Sequence, residues 1–146
     1  MAERTVFQSV PKKHVLSVGP HASVWEAACA MTRAGCGSIL VMEPPDKLLG
    51  ILTERDLMTR VVSRALDTKQ TPVSEVMTAH PVCVTPETKV SDAVLIMLER
   101  GFRHLPIVDA GHKVLSVFSI RDALPREIGM ALSEAEFNEQ VNDALG

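Results

Sequence analysis

Two stretches of the chain place apolar residues at the i, i+3, i+4, i+7 spacing of a helix with one buried stripe. They are Val24, Ala27, Ala28 and Met31, then Val90, Ala93, Val94 and Met97. Gly35 and Gly101 follow each stripe, where a helix commonly ends in a left-handed residue. Short apolar runs on either side read as strands: VLSV at 15–18 and VCV at 82–84 before the helices, ILVM at 39–42 and LPIV at 105–108 after them. Pro20 and Pro86 close the first strands in turns that lead into the helices. The turns PPDK and DAGHK suit hairpins to third strands at 48–52 and 114–118. A second helix is predicted to begin at Thr53 in one stretch and Ser119 in the other. Past Pro125, residues Ile128, Leu132, Phe137, Val141 and Leu145 define an apolar face, so 126–145 reads as a C-terminal helix.

The two stretches are copies. Residues 18–57 slide onto 84–123 without a gap at an offset of 66, with ten identities where composition alone gives roughly two or three. The identical pairs include Val24/Val90, Ala27/Ala93, Met31/Met97, Gly35/Gly101, Arg55/Arg121 and Asp56/Asp122. The predicted class is α/β, with two pseudo-twofold-related β-α-β-β-α repeats packed through their sheets. A single unit of some 60 residues is marginal alone, and pairing lets each bury its open faces. The division expected is 1–66 for an N-terminal segment and first repeat, 67–124 for a linker and second repeat, and 125–146 for the final helix. VSEVMT in the linker reads as a short helical turn, matched loosely by TVFQSV at 5–10.

Composition narrows the function. The 146 residues carry a formal net charge of −3, with Lys and Arg scattered, so no phosphate-backbone footprint exists and nucleic-acid binding is not expected. No apolar run approaches the roughly 18 residues of a membrane span, and MAERTVFQSV lacks the apolar core of a secretory signal; a cytoplasmic protein without membrane contact is expected. Cys29, Cys36 and Cys83 are an odd number without a CxxC pair, and read as small hydrophobes. His14, His21, His80, His104 and His112 show no ligand spacing, so no metal site is expected. No nucleophile beside a base and no paired carboxylates are readable, which argues against an enzyme.

The duplicated pattern, with VSEVMT, VTPETKVSDAVLIMLERGFRHLPIVD, GILTERDL and its partner SVFSIRDAL, resembles tandem CBS domains, the pair often called a Bateman module. The resemblance covers about 15–123. It implies a regulatory sensor in signal transduction that binds an adenosyl ligand in clefts between paired units. AMP, ADP, ATP, NAD and S-adenosylmethionine are all candidates, and no cofactor is required.

Physical chemistry fits T-x-x-D to this role. Thr53 and Ser119 stand at helix N-caps, where a hydroxyl satisfies a free N–H and the terminus favours an anion. Asp56 and Asp122, three residues on, repel phosphate but accept both hydroxyls of a ribose, and Arg55 and Arg121 between them screen ligand charge. S/T-x-x-D is equally a plain variant of the capping box, and the two roles are compatible. The resemblance groups Ser119 and Asp122 with Ser17, Val18, Gly37, Ser38 and Ile39 in one site. It groups Thr53 and Asp56 with Cys83, Val84, Arg103, His104 and Leu105 in the other, with apolar side chains sandwiching the adenine. Arg103 and His104 suit phosphate, whereas their counterparts Gly37 and Ser38 do not, so unequal sites are expected. Ser116 in place of Gly50, and Phe118 in place of Leu52, are expected to crowd the approach of a ligand.

The predicted helices 24–31 and 94–98 are apolar nearly all round, with Trp25, Cys29 and Leu95 off the core stripe, which implies a second buried face and a homodimer. About 20 residues follow the repeats, so the output is expected to pass to a separate regulated protein. The alternative function is a dimeric protein-interaction module whose ligand sites are vestigial.

Overall fold

The computed structural model describes residues 3–11 and 15–145; His14 lies outside them. The chain divides into two compact units, His14–Val82 and Met1–Lys13 with Cys83–Gly146. The mixed α/β architecture of the repeats is present in both.

In the first unit, strand β1 (Ser17–Val18) pairs in parallel with β2 (Ser38–Glu43), which forms an antiparallel hairpin with β3 (Lys47–Thr53). Helix α2 (Val24–Ala34) lies between β1 and β2 in sequence. Its N-terminus is a reciprocal box: Ser23 Oγ accepts from the Glu26 amide at 3.1 Å, and Glu26 Oε2 accepts from the Ser23 amide at 3.3 Å. Gly35 ends it at φ 66°, the left-handed geometry expected there. Val24, Ala27 and Met31 join Ile39, Val41, Leu52, Val61, Val73 and Val76 in one core. After β3 the chain makes one α turn, α3 (Glu54–Asp56), and continues as a π-helical segment over Leu57–Val62.

The linker belongs to this core. A 3₁₀ turn at Val73–Glu75 buries Val73 and Val76, and a further strand, β4 (Thr78–Ala79), adds to the free edge of β3. Strand β4 was not expected from its sequence, because two residues carry no period. It also explains Gly50. A Cβ there would stand 2.5 Å from Met77 Sδ and 2.8 Å from the Thr78 carbonyl oxygen, so the glycine makes room for the linker. In the second unit helix α1 (Val6–Ser9) packs against strand β6 (Val114–Ser119), and Ser116 is accommodated with 1% exposure. Phe118, the counterpart of Leu52, is likewise buried.

The second unit contains α1 (Val6–Ser9), α4 (Val90–Arg100), the hairpin β5 (His104–Val108) and β6 (Val114–Ser119), and α5 (Pro125–Leu145). The strand expected at 82–84 is reduced to a single parallel bridge, in which the Val84 amide donates to the Pro106 carbonyl and the Val84 carbonyl accepts from Val108. Pro81 and Pro86, without amide hydrogens, leave little chain to extend it. The helix expected to run on from Ser119 is likewise only a 3₁₀ turn, Ile120–Asp122. Ala123 is extended at ψ 144°, Leu124 precedes a proline, and Pro125 starts α5 afresh.

Helix α5 packs along α4, with Glu127 and Ala131 buried. The apolar face expected of it is corrected by the structure. Ile128 is half-buried, but Leu132, Phe137, Val141 and Leu145 are exposed, and the buried side of the helix carries Glu127 and Ala131 instead.

The segments preceding each repeat dock in the same manner. In the first unit the Val73 amide donates to the Ala22 carbonyl at 2.8 Å, and the Val24 amide to Thr71 at 2.9 Å. In the second, the Val6 amide donates to Thr88 at 2.8 Å, and the Val90 amide to Arg4 at 3.0 Å. Residues 22 and 88, and 24 and 90, are related by the 66-residue offset. The linker thus completes the first repeat's unit, and the N-terminal segment completes the second's.

Candidate functional site

The duplicated T/S-x-x-D motifs sit where the third strand of each repeat becomes a helical turn. Thr53 is extended at φ −115° and ψ 165°, so its side chain turns back on the helix it precedes. Its Oγ1 accepts from the Asp56 amide at 3.2 Å, and Asp56 Oδ2 accepts from the Thr53 amide at 3.0 Å. The Glu54 amide donates to the Gly37 carbonyl at 3.0 Å, and Ser38 pairs with Thr53 in the hairpin. Backbone at the mouth of β2 therefore pins the start of the turn.

The second motif repeats this frame. Ser119 Oγ accepts from the Arg121 amide at 3.3 Å, Asp122 Oδ2 accepts from the Ser119 amide at 2.9 Å, and the Ile120 amide donates to the Arg103 carbonyl at 3.0 Å. His104 pairs with Ser119. In both motifs the capping role is realised and takes one oxygen of the aspartate. A carboxylate has a second oxygen and further lone pairs, so the cap does not exhaust it.

The second oxygen differs between the motifs. Asp56 is buried, and its Oδ1 lies 3.7 Å from Arg60 Nε. Arg60 Nη1 is anchored to the carbonyls of Met77 at 3.0 Å and Val76 at 3.3 Å. Asp122 is half-buried, and an arginine holds its main chain: Arg4 Nη2 donates to the Asp122 carbonyl at 3.0 Å. The same guanidinium pairs with Glu127. The sequence reading missed both arginines. Arg60 had a signal, since Arg126 stands 66 residues on; Arg4 had none, being 118 residues from its acceptor.

The other candidates separate by what they expose. Ser17 and Arg103 are exposed; Val18, Gly37, Cys83 and His104 are half-buried; Ser38 and Val84 are buried. Ile39 and Leu105 are 1% and 0% exposed. Burial pushes the Cys83 thiol above its ordinary pKa, which keeps it neutral. Arg55 and Arg121 are exposed beside their aspartates.

The signature of the CBS domain matches residues 7–63 and again 73–127. The chain belongs to the CBS-domain family. Paired CBS domains are regulatory modules, and no helix among the described residues is long and apolar enough to cross a membrane. An uncharacterized 17.7 kDa protein of Acidianus ambivalens is 37% identical over 118 residues, covering 81% of this chain and 70% of that one. The chain spans only 19% and 26% of two longer relatives, from Schizosaccharomyces pombe and Arabidopsis thaliana. The CBS-domain protein ATU1752 of Agrobacterium tumefaciens superposes with TM-score 0.75 at 29% identity, over 81% of this chain and 89% of that one. The CBS-domain protein PAE2072 of Pyrobaculum aerophilum, solved in complex with AMP, superposes with TM-score 0.77 at 23% identity, over 91% and 98% of the two chains.

Proposed function

We propose that this CBS pair is a sensor of an adenosine-containing nucleotide, with Asp56 and Asp122 accepting ribose hydroxyls. The observation that carries the reading is the twice-built cap in which each aspartate spends one oxygen on the strand end and retains another. The AMP complex of the Pyrobaculum protein supports an adenine nucleotide as the ligand class. Backbone at Ser17, Val18, Gly37 and Ser38, and at Cys83 and Val84, serves the base, and Arg103 with His104 serves phosphate. Asp56 is buried and Asp122 half-buried, so Asp122 is the readier of the two carboxylates. The sensor acts as a homodimer and passes its signal to a separate protein.

Calorimetry with AMP, ADP, ATP, NAD and S-adenosylmethionine tests the ligand, and Asp→Asn variants test the site. Asparagine keeps an oxygen acceptor for the cap amide but removes the charge, so folding and ligand binding are separated. Asp122→Asn is expected to weaken nucleotide binding by about 1.5–3 kcal/mol, the range for hydrogen bonds to a charged group, with the ligand-free melting temperature little changed. Unaltered affinity in both single variants and in the double variant would exclude these carboxylates.

A further inference from the structure

Helix α5 meets α4 along a narrow face. Asn138 Nδ2 reaches Glu99 Oε1 of α4 at 3.5 Å, and Glu127 and Ala131 are the buried residues of α5. At about 100° per residue, positions 127, 131 and 138 fall within a single narrow arc. Met130, Phe137 and Val141 form a separate row at i, i+7, i+11 and are 43%, 64% and 38% exposed. Glu134, one turn after Met130, borders that row on the side of the buried arc. Glu136, Glu139 and Asp143 occupy the far side of the helix, and no Lys or Arg follows Arg126 in the sequence.

We infer that this row is a docking surface for a basic amphipathic helix of a different protein, whose apolar residues cover Met130, Phe137 and Val141 and whose cation faces Glu134. Charge decides against a second copy of α5 as the occupant. A parallel pair in register sets Glu134 against Glu134. An antiparallel pair that covers Phe137 and Val141 sets Glu134 against residues between 127 and 146, none of them basic. Either arrangement desolvates a carboxylate without a partner, which is costly. Arg126, the helix's one base, reaches the opposing Glu134 only when an antiparallel pair is centred on Met130. That pairing leaves Phe137 opposite position 123, ahead of the helix start at Pro125. A partner carrying apolar residues at heptad spacing with lysine or arginine among them meets both demands.

The probe is a fluorescein-labelled 18-residue amphipathic peptide of leucine and lysine, titrated with the full chain and followed by anisotropy. A leucine and glutamate peptide of the same pattern is the charge-reversed comparison. The leucine–lysine peptide is expected to bind at least tenfold more tightly than its acidic counterpart, and Phe137→Ser and Glu134→Lys are each expected to weaken it at least tenfold. Glu87→Lys makes the same charge change at another exposed position of the same unit and is expected to leave binding unaltered. Since Phe137 and Glu134 are exposed, the variants are expected to fold, as circular dichroism will report. Equal weakening by Glu87→Lys, or none by Phe137→Ser, would reduce the attraction to general acidity and overturn the inference. So would self-association of the wild type that Phe137→Ser abolishes, which would identify the occupant as a second copy.

Discussion

The Glu127 carboxylate is buried and held by hydrogen bonds from two residues. It is 2% exposed, and Arg4 reaches it through Nη2 at 2.8 Å and Nε at 3.2 Å, while the Leu124 amide donates at 2.8 Å. The hydrogen bonds from Arg4 hold its pKa below the ordinary carboxylate value against the opposing effect of burial. The interaction contributes stability above the unfolded-state carboxylate pKa, and that contribution fades as pH falls through the lowered folded-state value. Arg4 is held above its ordinary value by the same contact and stays charged throughout. Glu127→Gln is therefore expected to cost about 2 kcal/mol near neutral pH. Melting temperatures followed into the acid range should converge for the two proteins; a gap that stays constant would show that ionisation of Glu127 is not what stabilises the contact. Nothing local in the sequence marks this pair, because its partners are 123 residues apart.

At the scale of elements, periodicity made the long helices and the hairpins legible, and side-chain chemistry placed their ends at Gly35 and Gly101. What it could not place were elements whose existence depends on where they dock. TVFQSV at 5–10 and VSEVMT at 73–78 were both readable as helical turns, yet only tertiary structure shows the first clipped to the strand-to-helix turn of the second repeat and the second to that of the first. Val6 is fully buried in this way. Val6→Ala is expected to cost about 2 kcal/mol and to speed hydrogen exchange in α4, whose Val90 amide is held by the Arg4 carbonyl. Amides of α2 in the first unit supply the comparison. If they lose protection as much as α4, the N-terminal segment does not belong specifically to the second unit. The candidate site followed the same rule: the capping residues were readable because a cap is local, whereas Arg4 and Arg60 act across the fold.

For the whole molecule, the proposed homodimer rests on helix faces left uncovered, and the two repeats are unequal in this. Leu95 was expected to mark a free second face of α4, but α5 packs along that helix and Leu95 is only partly exposed. Sequence could not show this, because the apolar face read for α5 is the one the structure leaves outside. On α2 the argument is stronger: Trp25 is 50% exposed, and the Lys69 ammonium lies 5.4 Å from its ring centre. A cation over indole is favourable at a wet surface and compatible with further burial of the ring's other side. Aromatic side chains of this kind dominate the energetics of interfaces. Trp25→Glu puts a charge there without disturbing the unit's core, since Val24, Ala27 and Met31 supply the inward stripe. Sedimentation velocity at micromolar concentration is expected to show a wild-type dimer and a folded monomer for Trp25→Glu, with Leu95→Glu the weaker of the two because α5 already lies along α4. A monomeric wild type would refute the dimer, and a dimer that survives Trp25→Glu would remove α2 from its interface.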